Sequence, residues 1–226
     1  MGANIGFHKL QLSYNYYYTF PKLANTTIAA RSILGLSSLF ARRQDISTTD
    51  FPEELLDILP ISERFFAGGS NTLRGFAFEE AGPRVLVVPQ GTFHDSNGNP
   101  VTLSPFTVPF GGNALAVVNI EARIPLSKAL RAVPFYDGGN VFRSVKEMFN
   151  PIDDPRNDPF RHNLRALWTH TVGLGVRIKT PIGGEFGIDY GFLLNPPQFL
   201  IPQASGPDAI YQLHKTQLHF RFAQAF

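Results

Sequence analysis

From Leu10 the chain alternates: Leu10, Leu12, Tyr14, Tyr16 and Tyr18 fall on one side, and Gln11, Ser13, Asn15 and Tyr17 on the other. A period of two residues predicts a β-strand, here with an aromatic face. After a turn at Pro21–Asn25, a second strand is expected from Thr27 to about Phe40. The third is the clearest. Ala114, Ala116, Val118, Ile120, Ala122 and Ile124 form a wholly apolar face, while Asn113, Leu115, Val117, Asn119, Glu121 and Arg123 share the other. A fourth strand runs from Val133 through Phe135, Asp137 and Gly139 to Val141. The fifth sets Trp168, His170, Val172, Leu174, Val176 and Ile178 against Thr169, Thr171, Gly173, Gly175, Arg177 and Lys179. The sixth sets Phe186, Ile188, Tyr190 and Phe192 against Glu185, Gly187, Asp189 and Gly191. The last, from Thr216, puts Leu218, Phe220, Phe222, Gln224 and Phe226 on one face.

The connections alternate in length. Turns near residues 21, 126 and 181 are brief, whereas 41–112, 143–163 and 195–213 are long and irregular. Inside them, 52–57 reads as a short helix capped by Asp50, and Asp95–Pro100 as a solvated turn. Asp153, Asp154, Asp158 and His162 have metal-binding side chains, but prolines at 151, 155 and 159 make the segment read as an exposed loop.

A soluble sandwich would bury one apolar face per strand against a second sheet. A transmembrane barrel turns that face to lipid and keeps charges and glycines inside, with short turns at one end and long loops at the other. The alternating connections favour the barrel. Composition agrees: 13% of residues are aromatic, including 21 Phe, and only 17% are charged. Yet mean hydropathy is only -0.05, because the polar face offsets the apolar one. No run long enough for a transmembrane helix occurs. A net charge of +2 leaves no nucleic-acid footprint, and the absence of cysteine excludes disulfides and thiolate metal sites. The expected fold is all-β: an antiparallel transmembrane β-barrel portion of about seven strands with short periplasmic turns and long extracellular loops.

The candidate chemistry lies in one stretch of the first long loop, Glu63–Phe76. Gly68 and Gly69 permit a sharp fold-back, and Gly75 frees the backbone beside Arg74. A guanidinium is a rigid fork of donors suited to carboxylates. Strand parity puts Glu121 and Asp137 on inward faces, on two strands that should pair, so both are candidate partners of Arg74. Pairing of the same carboxylates with Arg123 or Arg177 is the alternative. Phe135 and Gly139 share the face of Asp137; the ring is expected to pack on the loop and the glycine to leave room for it. No metal site and no cofactor is predicted. Gly68-Gly69-Ser70-Asn71-Thr72 lacks the lysine of a phosphate loop, and neither a Gly-x-Ser-x-Gly nor a His-Glu-x-x-His motif occurs, so no enzyme is expected.

In order and spacing, Arg64-Phe65-Phe66-Ala67-Gly68-Gly69, then Leu73-Arg74-Gly75-Phe76, then Phe135-Tyr136-Asp137-Gly138-Gly139 resemble the bacterial surface antigens, the BamA/TamA-type outer-membrane assembly factors. The aromatic last strand, with Phe220, Phe222 and the terminal Phe226, is similar to that family's assembly signal. The resemblance implies a barrel of about sixteen strands preceded by periplasmic POTRA modules. Residues 1–226 are thus expected to form the C-terminal part of such a barrel, with no POTRA module among them. It further implies a place in the bacterial outer membrane and insertion of other barrels without nucleotide hydrolysis. Implied partners are the lipid bilayer, unfolded outer-membrane protein substrates and assembly-machinery lipoproteins, with no nucleic acid. A two-partner-secretion-type polypeptide exporter or a passive outer-membrane pore would use the same fold and stays open.

Overall fold

The computed structural model describes residues 5–42, 59–87, 89, 93–101, 106–149, 167–181, 183–201 and 209–223. Seven long strands make one antiparallel sheet. They are β1 (Ile5–Phe20), β2 (Thr26–Arg42), β7 (Ala114–Pro125), β8 (Leu130–Phe142), β9 (Thr169–Lys179), β10 (Glu185–Leu193) and β13 (Thr216–Ala223). They pair in the order β1-β2-β7-β8-β9-β10-β13, so each strand of the sheet lies beside its predecessor in the chain. The sheet is open among the described residues, with β1 and β13 at its edges. Its connections follow the expected asymmetry: β1–β2, β7–β8 and β9–β10 join by brief turns at one end, which leaves all three long connections at the other.

The long connections are less irregular than their sequence suggests. The first holds two small hairpins, β3 (Arg84–Val87) with β6 (Phe106–Pro109), and β4 (Phe93–His94) with β5 (Pro100–Val101). The third holds β11 (Gln198–Ile201) paired with β12 (Ala209–Gln212). Strands of two to four residues are too short to display a period, which is why alternation misses them. The second opens with a helix, α1 (Val145–Phe149), where a polar loop was expected. The expected helix at 52–57 and the acidic segment around Asp153 lie outside the described residues. The turn at Asp95 is present: its carboxylate accepts from the Asn97 and Asn99 amides at 2.8 and 2.9 Å.

The two faces of the sheet carry different chemistry. Outward, Leu10, Leu12, Tyr14, Leu174, Tyr190, Leu218, Phe220 and Phe222 are exposed. The outward polar groups find each other, as where the Tyr136 hydroxyl and His170 Nδ1 share a 2.7 Å hydrogen bond. Inward, the first long loop returns onto the sheet. Phe65 and Gly112 exchange backbone hydrogen bonds of 2.8 and 3.1 Å, and Ala81 N–H donates to Ala67 O at 2.9 Å. Phe65, Leu73 and Phe76 of the loop then pack with Ile33, Leu115, Val117 and Val141 of the sheet, all buried. This core fills the inner face at the loop end. Towards the turn end the same face turns charged, and Arg74 stands at the boundary.

Candidate functional site

The loop reaches that boundary because its glycines let it bend. Gly68 and Gly69 have φ of +120° and +94°. A methyl group on Gly68 would overlap the Ala77 carbonyl, so only glycine fits the reversal. Thr72 Oγ1 closes the bend by accepting from the Gly68 N–H at 2.8 Å. Gly69 N–H donates to Phe76 O at 3.1 Å, so Leu73 and Arg74 lie within a closed turn. Leu73 and Phe76 go into the inner core. Arg64, at the loop's entry, lays its guanidinium 4.0 Å from the centre of the Phe110 ring.

The sheet offers a matching surface. Across β7, β8, β9 and β10 the register lines up Glu121 with Phe135, Phe135 with Gly173, and Gly173 with Gly191. One step along, Asn119 is opposite Asp137, and Asp137 is opposite Thr171. Glycine at 173 leaves the space that the Phe135 ring occupies; a methyl there would overlap the ring. Glycine at 191 leaves the space for the loop backbone, since a methyl there would overlap the Arg74 carbonyl. Gly75 in turn sits against the Thr171 side chain. The Arg74 guanidinium carbon rests 3.5 Å from the centre of the Phe135 ring, a cation–π stack.

Arg74 ends among carboxylates. Its Nε donates to Asp137 Oδ2 at 2.8 Å and Nη2 to Oδ1 at 2.6 Å, a bidentate fork. Its backbone N–H adds a third bond to Oδ2 at 3.0 Å. Nη1 donates to Glu121 Oε2 at 3.0 Å and lies 3.9 Å from Asp189 Oδ1. The Arg74 carbonyl accepts from His219 Nε2 on β13 at 3.1 Å. Asn119 Nδ2 donates both to Asp137 Oδ1 at 2.8 Å and to Thr72 O at 2.6 Å. Arg74, Asp137 and Asp189 are 3%, 0% and 0% exposed, so water screens none of these charges. Burial alone would lower the Arg74 pKa. The hydrogen bonds and charge of Asp137, with Glu121 and Asp189, outweigh it and hold the guanidinium above its usual value.

The structure therefore brings Arg74, Glu121, Asp137 and Phe135 together, with Gly68, Gly69, Leu73, Gly75 and Phe76 shaping the loop. The two alternatives for the carboxylates are not exclusive, because Glu121 also accepts from Arg123 Nε at 2.7 Å. Arg177 pairs instead with Asp189, at 2.8 Å, and Arg221 Nε lies 3.6 Å from the same carboxylate. Gly139 differs from expectation. With φ of +132° it meets the Ala116 carbonyl of the neighbouring strand, so its room serves β7 and not the loop. Glu185, further along the inward face of β10, pairs with Arg131 at 3.2 Å. Phe220 and Phe222 stand on the outer face, away from Arg74, and Phe226 lies outside the described residues. Asp189, Asn119, His219 and Gly191 also join the site, and all four carry the inward parity that marked Glu121, His219 standing directly opposite Asp189; parity alone does not single them out from the other inward residues. Among the described residues no group of His, Asp and Glu is arranged to hold a metal.

Gly191 yields a test of this packing. Gly191→Ala puts a methyl against loop backbone, which cannot swing aside as a side chain can. The expected cost is about 1–3 kcal/mol in unfolding from lipid vesicles. A cost at Gly191 below about 0.5 kcal/mol would mean that the loop does not press on β10.

Comparison with known proteins agrees with this architecture. The crystal structure of BamA from Haemophilus ducreyi lacking POTRA domains 1–3 superposes with a TM-score of 0.55 at 18% identity, over 96% of this chain and 35% of that one. The chain thus spans about a third of the length of that structure. At this identity the likeness is one of fold, a β-barrel wall. The sequence matches the Omp85 superfamily domain over residues 1–226, and the chain belongs to that superfamily.

Proposed function

We propose that this chain is the C-terminal wall of a bacterial outer-membrane barrel that inserts other outer-membrane proteins. One observation carries the reading: a loop is bolted by Arg74 onto the inner wall of a sheet whose outer face suits lipid. A factor that handles polypeptides needs a wall that keeps its shape while one edge stays available. Strand β13 is such an edge, with backbone groups that can take a further strand by β-augmentation. Its outward Phe220 and Phe222, with Phe226, suit the role of an end signal for assembly. Unfolded outer-membrane proteins are the proposed substrates, and accessory lipoproteins the proposed partners. No nucleotide or cofactor enters the mechanism; strand pairing and lipid contact supply the free energy.

Polypeptide export is the second reading, since β13 and the Arg74 bolt would serve it equally. Depletion of the full-length protein in its host separates the two. Insertion predicts loss of heat-modifiable, folded porins from the outer membrane within a few generations. Undiminished porins with loss of one secreted polypeptide would overturn insertion in favour of export. Undiminished porins and secretion together would overturn both.

A further inference from the structure

Helix α1 lies where a barrel wall should be bare. Met148 is buried with Ala114 and Phe142, and Val145, Leu34, Leu36, Ala116 and Trp168 pack against that cluster. Ala114, Ala116, Leu34 and Leu36 have outward parity, opposite to the Leu115, Val117 and Ile33 of the inner core. The helix therefore straps the outer face of β7 and β8, beside β2, and not the lumen. Its level follows from the register. Leu36 pairs with Leu10 on one side and with Ala114 on the other. Leu10 stands ten residues from Phe20 at the turn end of β1, and Ala114 eleven from Pro125 at the turn end of β7. A membrane-crossing strand uses about 9–11 residues. The strap thus sits at the loop-end border of the apolar band, where headgroups begin.

Its exposed surface suits that border. Phe149 is 78% exposed, and Lys146 is exposed beside it. The helix's carboxylate, Glu147, is buried and paired with Arg143 at 2.5 Å, so the outward charge is positive. Between the strap and β1/β2 runs a groove of about 280 Å³, lined by His8, Leu10, Leu36, Ser38 and Val145. Its wall is mainly apolar and wide enough for part of an acyl chain, with His8 and Lys9 in its lining, and Lys146 follows Val145 of its wall in the chain.

We propose that α1 and this groove seat a lipid with an anionic phosphate headgroup: the chain lies in the groove, the phosphate faces Lys146, and the Phe149 ring enters the leaflet. Aromatic rings and basic residues at this level are the usual interfacial anchors. The inference rests on the outer face being in lipid, and the test separates the two.

The sole tryptophan, Trp168, is changed to Phe, and one tryptophan is placed at Phe149→Trp or at Tyr14→Trp, midway along β1. The full chain is refolded into phosphatidylcholine vesicles holding a small fraction of phosphatidylglycerol brominated high on its chains. Tryptophan 14 is expected to be quenched in proportion to the mole fraction of brominated lipid. Tryptophan 149 is expected to be quenched about fivefold beyond that proportion, and to return to it in Lys146→Glu. Proportional quenching at 149, unaffected by Lys146→Glu, would leave an interfacial strap without a lipid seat and overturn the proposal. No quenching at 149 with normal quenching at 14 would place the strap in water and overturn it too. No quenching at either site would overturn the lipid-facing sheet itself.

Discussion

Arg74→Ala is expected to destabilise the folded wall by about 3–5 kcal/mol, because it strands a fully buried carboxylate. Asp137 is 0% exposed and takes both arms of the guanidinium fork. Without them it keeps the Asn119 amide and one backbone N–H, two neutral donors for a full charge. Glu121 and Asp189 lose less, since Arg123 and Arg177 remain on them. Asp137→Ala is expected to cost somewhat less than Arg74→Ala, as Arg74 retains Glu121 at 3.0 Å. The double variant should then be little worse than Arg74→Ala alone, since each single change already removes the shared interaction. Arg74→Lys should not rescue, because an ammonium cannot present a fork to both oxygens of Asp137 while stacking on Phe135. Urea titration of the four proteins folded in vesicles measures each cost. Strictly additive losses would mean that Arg74 and Asp137 do not act as one unit.

Val118→Arg is expected to cost about 2–4 kcal/mol, the depth-dependent cost of a cation on the lipid face of a barrel. Val118 lies within β7 and pairs with Ser32 and Gly138, all of outward parity. Asn119 would be the natural inward control on parity alone, but its amide holds Thr72 and Asp137, so a change there would disturb the bolt. Gln11, inward and exposed on β1, is the better control, and Gln11→Arg should cost little. Equal losses at 118 and 11 in vesicle unfolding would mean that the two faces meet the same solvent, which contradicts a membrane wall.

Alternation of side chains is a local property, read two residues at a time, and it carried most of the fold. It placed the seven strands, told lipid face from inner face, and put Glu121 and Asp137 on the same side. Connection lengths separated the loop end from the turn end for the same reason: a brief turn forces neighbours to pair. Glycines at 68, 69 and 75 beside an arginine marked the loop because a left-handed or crowded backbone excludes other residues.

Tertiary structure decided what depends on several strands at once. That Asp189 and His219 join Arg74 follows from the register of β9, β10 and β13, which no single strand encodes. That Gly191 makes room for the loop, while Gly139 makes room for Ala116, turns on where the loop descends after its reversal. The hairpins β3/β6 and β11/β12 form on strands of four residues, which gain order from packing near the inner core and not from their own period. Helix α1 is the sharpest case. Its five residues, Val145-Lys146-Glu147-Met148-Phe149, read as loop by themselves. Only an outer face of small side chains, Ala114 and Ala116, let Met148 settle there, because a short helix gains its stability from what it buries.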